Sequence, residues 1–229
     1  MVIGGFQKFS LADFPGKISA IVFTRGCNFR CPYCHNPELV DPARYTPDIP
    51  QEEVLRFLGS RKGQLQGVVL TGGEPTLHGD LPSFLTEIRA LGFAAKLDTN
   101  GSNPDMLQGL IRDSLVDYIA MDIKAPLTAY PRIAGVPVKV KDIEQSVRLV
   151  IQSGLPHEFR TTYEGSLLST RDMEAIAELV RGCAHFVVQS FRPSKTLDPA
   201  MRALAQPDRA SLQSIRTHME SAGLHVRVR

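Results

Sequence analysis

The sequence predicts an α/β fold with a parallel sheet, in the form of an incomplete barrel. Short apolar runs alternate with amphipathic segments along nearly all of the 229 residues. Several runs are apolar at consecutive positions, as expected of parallel strands covered on both faces. Six strand–helix units joined by right-handed crossovers form such a sheet, whereas a full eight-unit barrel typically needs about 250 residues. The prediction is a partial (β/α)6 TIM-like barrel in a single domain, residues 1–229.

The six predicted strands are the apolar runs that precede the amphipathic segments. They are residues 18–24, 67–71, 93–98, 117–123, 157–163 and 185–191. The C-terminal segment 225–229 alternates apolar and charged residues, which indicates an edge strand with solvated charges.

The helices are predicted from apolar residues at helical spacing, followed by glycines that end helices. The clearest stripe comprises Leu81, Phe84, Leu85, Ile88 and Leu91. Further helices are expected at about 51–61, from Pro104, at 142–153 with Asp142 as N-cap, at 170–181 and at about 207–222. Glycines that close helices in the left-handed conformation are expected at Gly92, Gly154, Gly182 and Gly223.

Composition excludes several classes of protein. The chain has 26 Lys and Arg against 24 Asp and Glu, so nothing favours nucleic acid or an anionic membrane as a partner. No apolar run approaches the roughly 20 residues of a membrane span, and the N-terminus lacks the pattern of a signal peptide. We therefore expect a cytoplasmic protein.

Unusual residues lie at the ends of the predicted strands or, for Arg160, within the fifth strand, at the rim where active sites of such folds lie. They are Cys27, Cys31, Cys34, Gly72, Gly73, Glu74, Asp98, Thr99, Asn100, Asp122, Lys124 and Arg160.

Three of the four cysteines lie in one short loop, at Cys27, Cys31 and Cys34. A structural zinc site usually has four protein ligands, and here the fourth would be the adjacent His35 or the distant Cys183. An iron–sulfur cube with three thiolate ligands explains the spacing better, and it leaves one iron open for chemistry. A structural zinc site or a ferredoxin-like cluster remains the alternative.

The motifs resemble those of radical S-adenosylmethionine (SAM) enzymes. CNFRCPYCHN is similar to their CxxxCxΦC signature, with Tyr33 as the aromatic residue, and residues 71–75 resemble their GGEP motif. Residues 97–101 and 121–124 are similar to segments of glycyl-radical activating enzymes. Residues 4–39 resemble the activating proteins of anaerobic ribonucleotide reductases.

The resemblance implies a barrel of the radical SAM type and a [4Fe–4S] cluster bound by Cys27, Cys31 and Cys34. SAM chelates the open iron, and one electron from the reduced cluster cleaves it to methionine and a 5′-deoxyadenosyl radical. The GGEP segment would meet the SAM amino group. The full set of implied cofactor-binding residues is Tyr33, Gly72, Gly73, Glu74, Asp98, Thr99, Asn100, Asp122, Lys124 and Arg160.

Several of these residues have a more specific implied role. Asp98, Thr99 and Asp122 would bind a monovalent cation beside the SAM carboxylate, and Lys124 would add positive charge there. Arg160 lies in an apolar strand, where an unpaired charge is costly, so it should reach a carboxylate, either of SAM or of the protein.

The resemblance implies an activase that forms a glycyl radical on a partner, most closely an anaerobic ribonucleotide reductase, with flavodoxin or ferredoxin as electron donor. Activation of another glycyl-radical enzyme, modification of a small molecule and simple electron transfer are the alternatives. Pyruvate formate-lyase activase carries a histidine near the end of its sixth strand, and residues 189–193 here have none. Cys183 is interpreted as a small structural residue.

Overall fold

Eight strands form one sheet in the computed structural model, which describes residues 1–229, and the strands follow one another in chain order. Their bounds are β1 Ile3–Ser10, β2 Ser19–Thr24, β3 Gly67–Gly72, β4 Ala94–Thr99, β5 Tyr118–Asp122, β6 His157–Tyr163, β7 Phe186–Ser190 and β8 Val226–Val228. β2, β3 and β4 pair in parallel, as do β6, β7 and β8. The predicted α/β fold with a mostly parallel sheet is confirmed, and so is the C-terminal edge strand.

The sequence prediction missed β1, which pairs antiparallel with β2 and forms the other edge of the sheet. Only Ile3 and Ser10 of this strand are buried, and its middle is exposed. It therefore has no apolar run, and backbone pairing with β2 defines it instead.

The six longer helices agree closely with the predicted segments, whereas two short helices, at residues 37–40 and 130–134, were not predicted. They are α1 Pro37–Val40, α2 Gln51–Gly59, α3 Leu81–Ala90, α4 Pro104–Arg112, α5 Tyr130–Ala134, α6 Val140–Gln152, α7 Thr170–Leu179 and α8 Arg209–Ser221. Gly92, Gly154, Gly182 and Gly223 all have positive φ, as expected of residues that follow a helix. None of the helices is long and apolar enough to cross a membrane.

The prediction that Asp142 is an N-cap is wrong. Lys139 occupies the N-cap of α6, so Asp142 lies in the first turn of the helix. An acidic side chain is favourable at either position because both lie at the positive end of the helix dipole, and the sequence signal alone does not separate them.

The chain divides into two compact units. The first comprises residues 1–28, 38–99 and 105–119, and the second comprises 29–37, 100–104 and 120–229. Aliphatic residues of β2 to β4 form the core of the first unit, such as Val22, Leu70 and Leu97. Phe159 and Phe186 are fully buried in the second unit. The candidate site residues are described below unit by unit.

Candidate active site

The cysteine loop follows β2, with Cys27 in the first unit and Cys31 and Cys34 in the second. Cys31 is only 7% exposed, whereas Cys27 and Cys34 are half-buried. None of the four cysteines of the chain forms a disulfide. The amide of Cys34 donates to the carbonyl of Cys31 over 3.0 Å, so the loop makes a tight turn between these two thiols.

Backbone hydrogen bonds within the second unit anchor the later part of this loop. The Arg30 amide donates to the Ala134 carbonyl at 2.7 Å, and the Asp198 amide donates to the Pro32 carbonyl at 2.9 Å. The sequence analysis missed both contacts, because backbone groups leave no mark in the pattern of side chains. Ring contacts add to them, since Phe29 packs against Tyr130 of α5 at 6.2 Å between centroids and His35 lies 6.3 Å from Phe191.

Gly135 makes the first of these contacts possible. It closes α5 with φ of 69°, and a Cβ at this position would lie 2.4 Å from the Arg30 carbonyl oxygen. Only glycine allows this close approach in the left-handed conformation.

The Cys31 thiol lies in an environment that opposes ionisation. Burial raises its pKa to about 11, against the influence of the Lys124 ammonium, which favours the thiolate. A thiolate at this position therefore requires an electrophilic partner such as a metal, because coordination displaces the proton.

Tyr33 lies between Cys31 and Cys34 in the sequence. It is 5% exposed, and its hydroxyl has no hydrogen-bond partner. Burial raises the pKa of its phenol well above the ordinary value. A buried hydroxyl without a protein partner is uncommon and leaves a donor for a ligand.

In the first unit, the turn after β3 packs against the start of the cysteine loop. The Gly73 amide donates to the Thr24 carbonyl, and the Glu74 amide donates to the Gly26 carbonyl, both at 2.8 Å. A Cβ on Gly73 would lie 1.9 Å from the Gly26 oxygen. The glycine therefore admits the backbone of the chain itself, next to Cys27, and its predicted approach to SAM stays a prediction.

Glu74 fixes this turn. Its side chain is fully buried, and its Oε1 accepts hydrogen bonds from the Thr76 amide at 3.1 Å, the Thr76 hydroxyl at 2.6 Å and the Thr99 hydroxyl at 2.7 Å. The carboxylate thus ties the GGEP segment to the end of β4.

We expect Glu74→Ala to lower the free energy of unfolding by about 3 kcal/mol, because buried donors lose a charged acceptor. Urea denaturation of the protein without cofactors measures this change. Glu74→Gln is the matched control, since it keeps one acceptor oxygen and should be less destabilised. Wild-type stability of the alanine variant would contradict the role assigned to Glu74.

The end of β4 carries a buried ion pair that the sequence analysis missed. Lys96 is 1% exposed, and its ammonium pairs with the Asp98 carboxylate. Thr99 and Asn100 are also buried, and the Asn100 Oδ1 accepts from the Ser102 amide at 2.9 Å. A charged residue within an apolar strand is the signal that indicates Lys96, and the same signal indicates Arg160.

In the second unit, Asp122, Lys124 and Arg160 form one charged cluster. The Arg160 Nε lies 2.7 Å from Asp122 Oδ1, and the Lys124 Nζ lies 3.0 Å from Oδ2. The Lys124 amide donates to the Tyr130 hydroxyl at 3.2 Å. The carboxylate that Arg160 reaches is therefore one of the protein, and Lys124 is not a solvated surface lysine.

The cluster is ionised at neutral pH. Burial acts to raise the pKa of Asp122, but Arg160 and Lys124 outweigh it and hold that pKa well below the ordinary value. Burial likewise acts to lower the pKa of Lys124, and Asp122 raises it well above the ordinary value. One carboxylate between two cations leaves net positive charge beside Cys31.

Arg160→Met should lower the free energy of unfolding by about 2 kcal/mol at pH 7, because Asp122 loses its shortest charge-assisted contact. A carboxylate with a depressed pKa stabilises the fold above its unfolded pKa, about 3.9, and this contribution fades as the pH falls below that value. The difference from the wild type should therefore be constant above about pH 5 and shrink progressively below about pH 4, as the pH falls towards the depressed pKa of Asp122.

Denaturant titrations across this pH range measure the effect, with Arg171→Met, a change at an exposed arginine of α7, as the control. A difference that stays constant from neutral to acid pH would show that lost packing, and not the ion pair, causes the destabilisation.

Comparison with known proteins identifies the family. Residues 21–182 match the model of the radical SAM superfamily, and the chain belongs to this superfamily. Its members use a [4Fe–4S] cluster and SAM, and the chain is therefore a radical SAM enzyme.

Relatives of this chain include activating enzymes of glycyl-radical proteins and a synthase of a small molecule. A Methanocaldococcus jannaschii protein named as a glycyl-radical enzyme activating enzyme is 29% identical over 219 residues, 93% of this chain and 90% of that protein. The pyruvate formate-lyase-activating enzyme of Clostridium pasteurianum is 32% identical over 134 residues, 54% of each chain. The 7-carboxy-7-deazaguanine synthase of Methanopyrus kandleri is 33% identical over 132 residues, 49% of this chain and 52% of that protein.

Solved structures confirm the fold. A domain of the pyruvate-formate lyase-activating enzyme from Bacteroides vulgatus superposes with a TM-score of 0.59 and 18% identity, over 72% of this chain and 99% of that domain. Streptococcus suis SuiB bound to its precursor peptide SuiA superposes with a TM-score of 0.71 and 14% identity, over 91% of this chain and 48% of SuiB.

The residues present fit the cluster in their chemistry. Three thiols outside any disulfide supply the ligands that iron–sulfur clusters take. No three His, Cys, Asp or Glu side chains are arranged in the structure as a ready metal-binding group. The assignment of Cys27, Cys31 and Cys34 as ligands therefore rests on their spacing and on the family.

Proposed function

We propose that this radical SAM enzyme is an activase that generates a glycyl radical on a partner enzyme, and that the partner is an anaerobic ribonucleotide reductase. The observation that carries the proposal is the match to the Methanocaldococcus jannaschii activating enzyme, which extends over 93% of this chain and 90% of that protein. The relationship therefore includes the regions before and after the cysteine loop.

Residues 4–39 support the choice of partner, because their sequence resembles activating proteins of anaerobic ribonucleotide reductases. The absence of a histidine from residues 189–193 distinguishes the chain from pyruvate formate-lyase activase. The electron donor is a low-potential carrier such as flavodoxin or ferredoxin.

When bound, the cluster would supply the electron that cleaves SAM, and the cleaved SAM would supply the radical that takes a hydrogen atom from the glycine of the partner. Cys27, Cys31 and Cys34 bind the cluster. The protein positions the cluster and SAM, supplies charge beside them and excludes water.

Two features of the second unit suit this task. Arg160 and Lys124 flank Asp122 with net positive charge, which favours an anionic group such as the SAM carboxylate. Tyr33 and Cys31 are buried, so the chemistry next to them is shielded from water.

A small-molecule reaction is the second candidate, and the similarity to 7-carboxy-7-deazaguanine synthase favours it. That similarity covers 49% of this chain, so it carries less weight than the match to the activating enzyme. Activation of another glycyl-radical enzyme is a third candidate, and the similarity to the pyruvate formate-lyase-activating enzyme favours it.

Anaerobic EPR tests the proposal. The reconstituted enzyme is mixed with SAM, a strong reductant and either anaerobic ribonucleotide reductase or pyruvate formate-lyase. We expect a glycyl-radical doublet with the reductase, and no doublet with a reductase whose radical glycine is replaced by alanine.

A doublet with pyruvate formate-lyase alone would overturn the choice of partner and keep the activase. Formation of 5′-deoxyadenosine with no doublet on either protein would overturn the activase and favour a small-molecule substrate. An enzyme with its full iron content that never cleaves SAM would contradict the proposed reaction on any partner.

A further inference from the structure

We infer that Lys96 is the resident cation of the Asp98 carboxylate, in the role that the family resemblance gives to a monovalent metal ion. SAM binding by this protein then requires neither K⁺ nor Na⁺. The inference rests on SAM as the cofactor, which membership of the superfamily establishes, and it does not depend on which partner is activated.

The environment of Lys96 requires a partner for its charge. The residue lies in β4 between Ala95 and Leu97, both fully buried, and is itself 1% exposed. An ammonium group without a counter-ion is very costly at such a position. Asp98 supplies the counter-ion from two residues further along the strand, where the side chain points to the same face of the sheet.

A second group stabilises the ammonium where it lies. The Nζ of Lys96 is 5.8 Å from the centroid of the Tyr118 ring, within the range of a cation–π interaction. The acid and the aromatic ring together hold the charge at Asp98. A metal ion at this carboxylate would have to compete with a cation that the chain itself holds in place.

The other side chains implied as ligands of a monovalent cation are also engaged. The Thr99 hydroxyl donates to Glu74 Oε1 at 2.7 Å. In the second unit, Asp122 has Arg160 on one oxygen and Lys124 on the other. Each unit, taken by itself, already neutralises its aspartate with protein cations, so this set of residues does not fit a monovalent metal ion.

The direct test measures SAM binding by the wild-type enzyme, reconstituted with its cluster, by isothermal titration calorimetry without any partner protein. The titrations use tetramethylammonium chloride, potassium chloride and sodium chloride at one ionic strength. We expect dissociation constants that agree within about twofold. Tightening by about tenfold or more in K⁺ or Na⁺ would overturn the inference.

A variant that removes the ammonium group of Lys96 tests the same inference. Lys96→Met removes the ammonium and keeps most of the side-chain volume. We expect its SAM affinity to fall about tenfold in tetramethylammonium chloride and to recover saturably as K⁺ or Na⁺ is added. Wild-type affinity of this variant in all three salts would overturn the role of Lys96.

Two further variants control for folding and for nonspecific effects of charge. Lys96→Met combined with Asp98→Asn removes both charges, so it should fold and should not respond to K⁺ or Na⁺. Lys141→Met removes an exposed lysine from α6 and should bind SAM as the wild type does. If Lys96→Met alone does not fold, the wild-type comparison of salts still decides the question.

This experiment separates the inference from the proposed function. SAM binding is read without a glycyl-radical partner, so a wrong choice of partner leaves the result unchanged. Salt-dependent SAM binding would in turn overturn the role of Lys96 and leave the activase proposal intact.

Discussion

Cys31→Ala should abolish reductive cleavage of SAM and lower the iron content of the reconstituted protein. Cys31 is the most buried of the three loop cysteines, and the hydrogen bond from the Cys34 amide to its carbonyl places it at the turn of the loop. Removal of a metal ligand should cost more than a change in the second sphere, so we expect the rate to fall more than about a hundredfold.

The measurement is 5′-deoxyadenosine released with a strong reductant, together with iron per protein and the EPR spectrum of the reduced cluster. Cys183→Ala is the matched control, because it removes a cysteine that lies outside the loop and should keep full activity. If the Cys31 variant retained both cluster and cleavage, the assignment of the loop as the cluster site would be wrong.

Gly73→Ala should weaken SAM binding more than tenfold and destabilise the protein by about 3 kcal/mol, the upper range for overpacking. The added methyl group would lie 1.9 Å from the Gly26 carbonyl oxygen, which is backbone and cannot rotate away. Gly26 also accepts from the Glu74 amide and donates to the Leu39 carbonyl, so its displacement disturbs the residue next to Cys27.

Iron content, SAM binding by calorimetry and urea denaturation together measure this effect. Gly79→Ala is the control, since a Cβ there would meet nothing within 4 Å. Equal iron content and SAM affinity in the two variants would show that the close packing of residues 26 and 73 is not needed for the site.

The sequence was sufficient for those parts of the fold that a hydrophobic pattern determines. Each of the strands β2 to β7 was found within about two residues, and most of them contain consecutive apolar residues. β1 was missed because its exposed residues carry no such pattern and only pairing with β2 defines it. The N-cap of α6 was misplaced because an acidic residue is favourable anywhere in the first turn.

The candidate site was predictable as a set of residues and less so as a set of contacts. The cysteine spacing and the strand ends mark the residues, since chemistry at this rim needs polar side chains in otherwise apolar surroundings. Which carboxylate pairs with Arg160 depends on how β6 lies beside the end of β5, where the amide of Ile123, the residue after β5, donates to the Arg160 carbonyl. No local pattern encodes that register.

The role of Lys96 could not be predicted from the sequence either. Asp98 belongs to the segment 97–101 that resembles the family, whereas Lys96 lies just outside that segment. Only its burial in the structure, with Asp98 beside it, shows that the chain brings its own positive charge.

Transfer of deuterium from the partner tests the central claim most directly. Anaerobic ribonucleotide reductase labelled with α-deuterated glycine is activated by the reconstituted enzyme, and the 5′-deoxyadenosine is analysed by mass spectrometry. If the enzyme abstracts hydrogen from glycine, the 5′-deoxyadenosine gains deuterium in step with the glycyl-radical signal. Unlabelled 5′-deoxyadenosine throughout, with no radical on the reductase, would contradict the proposed abstraction from that protein.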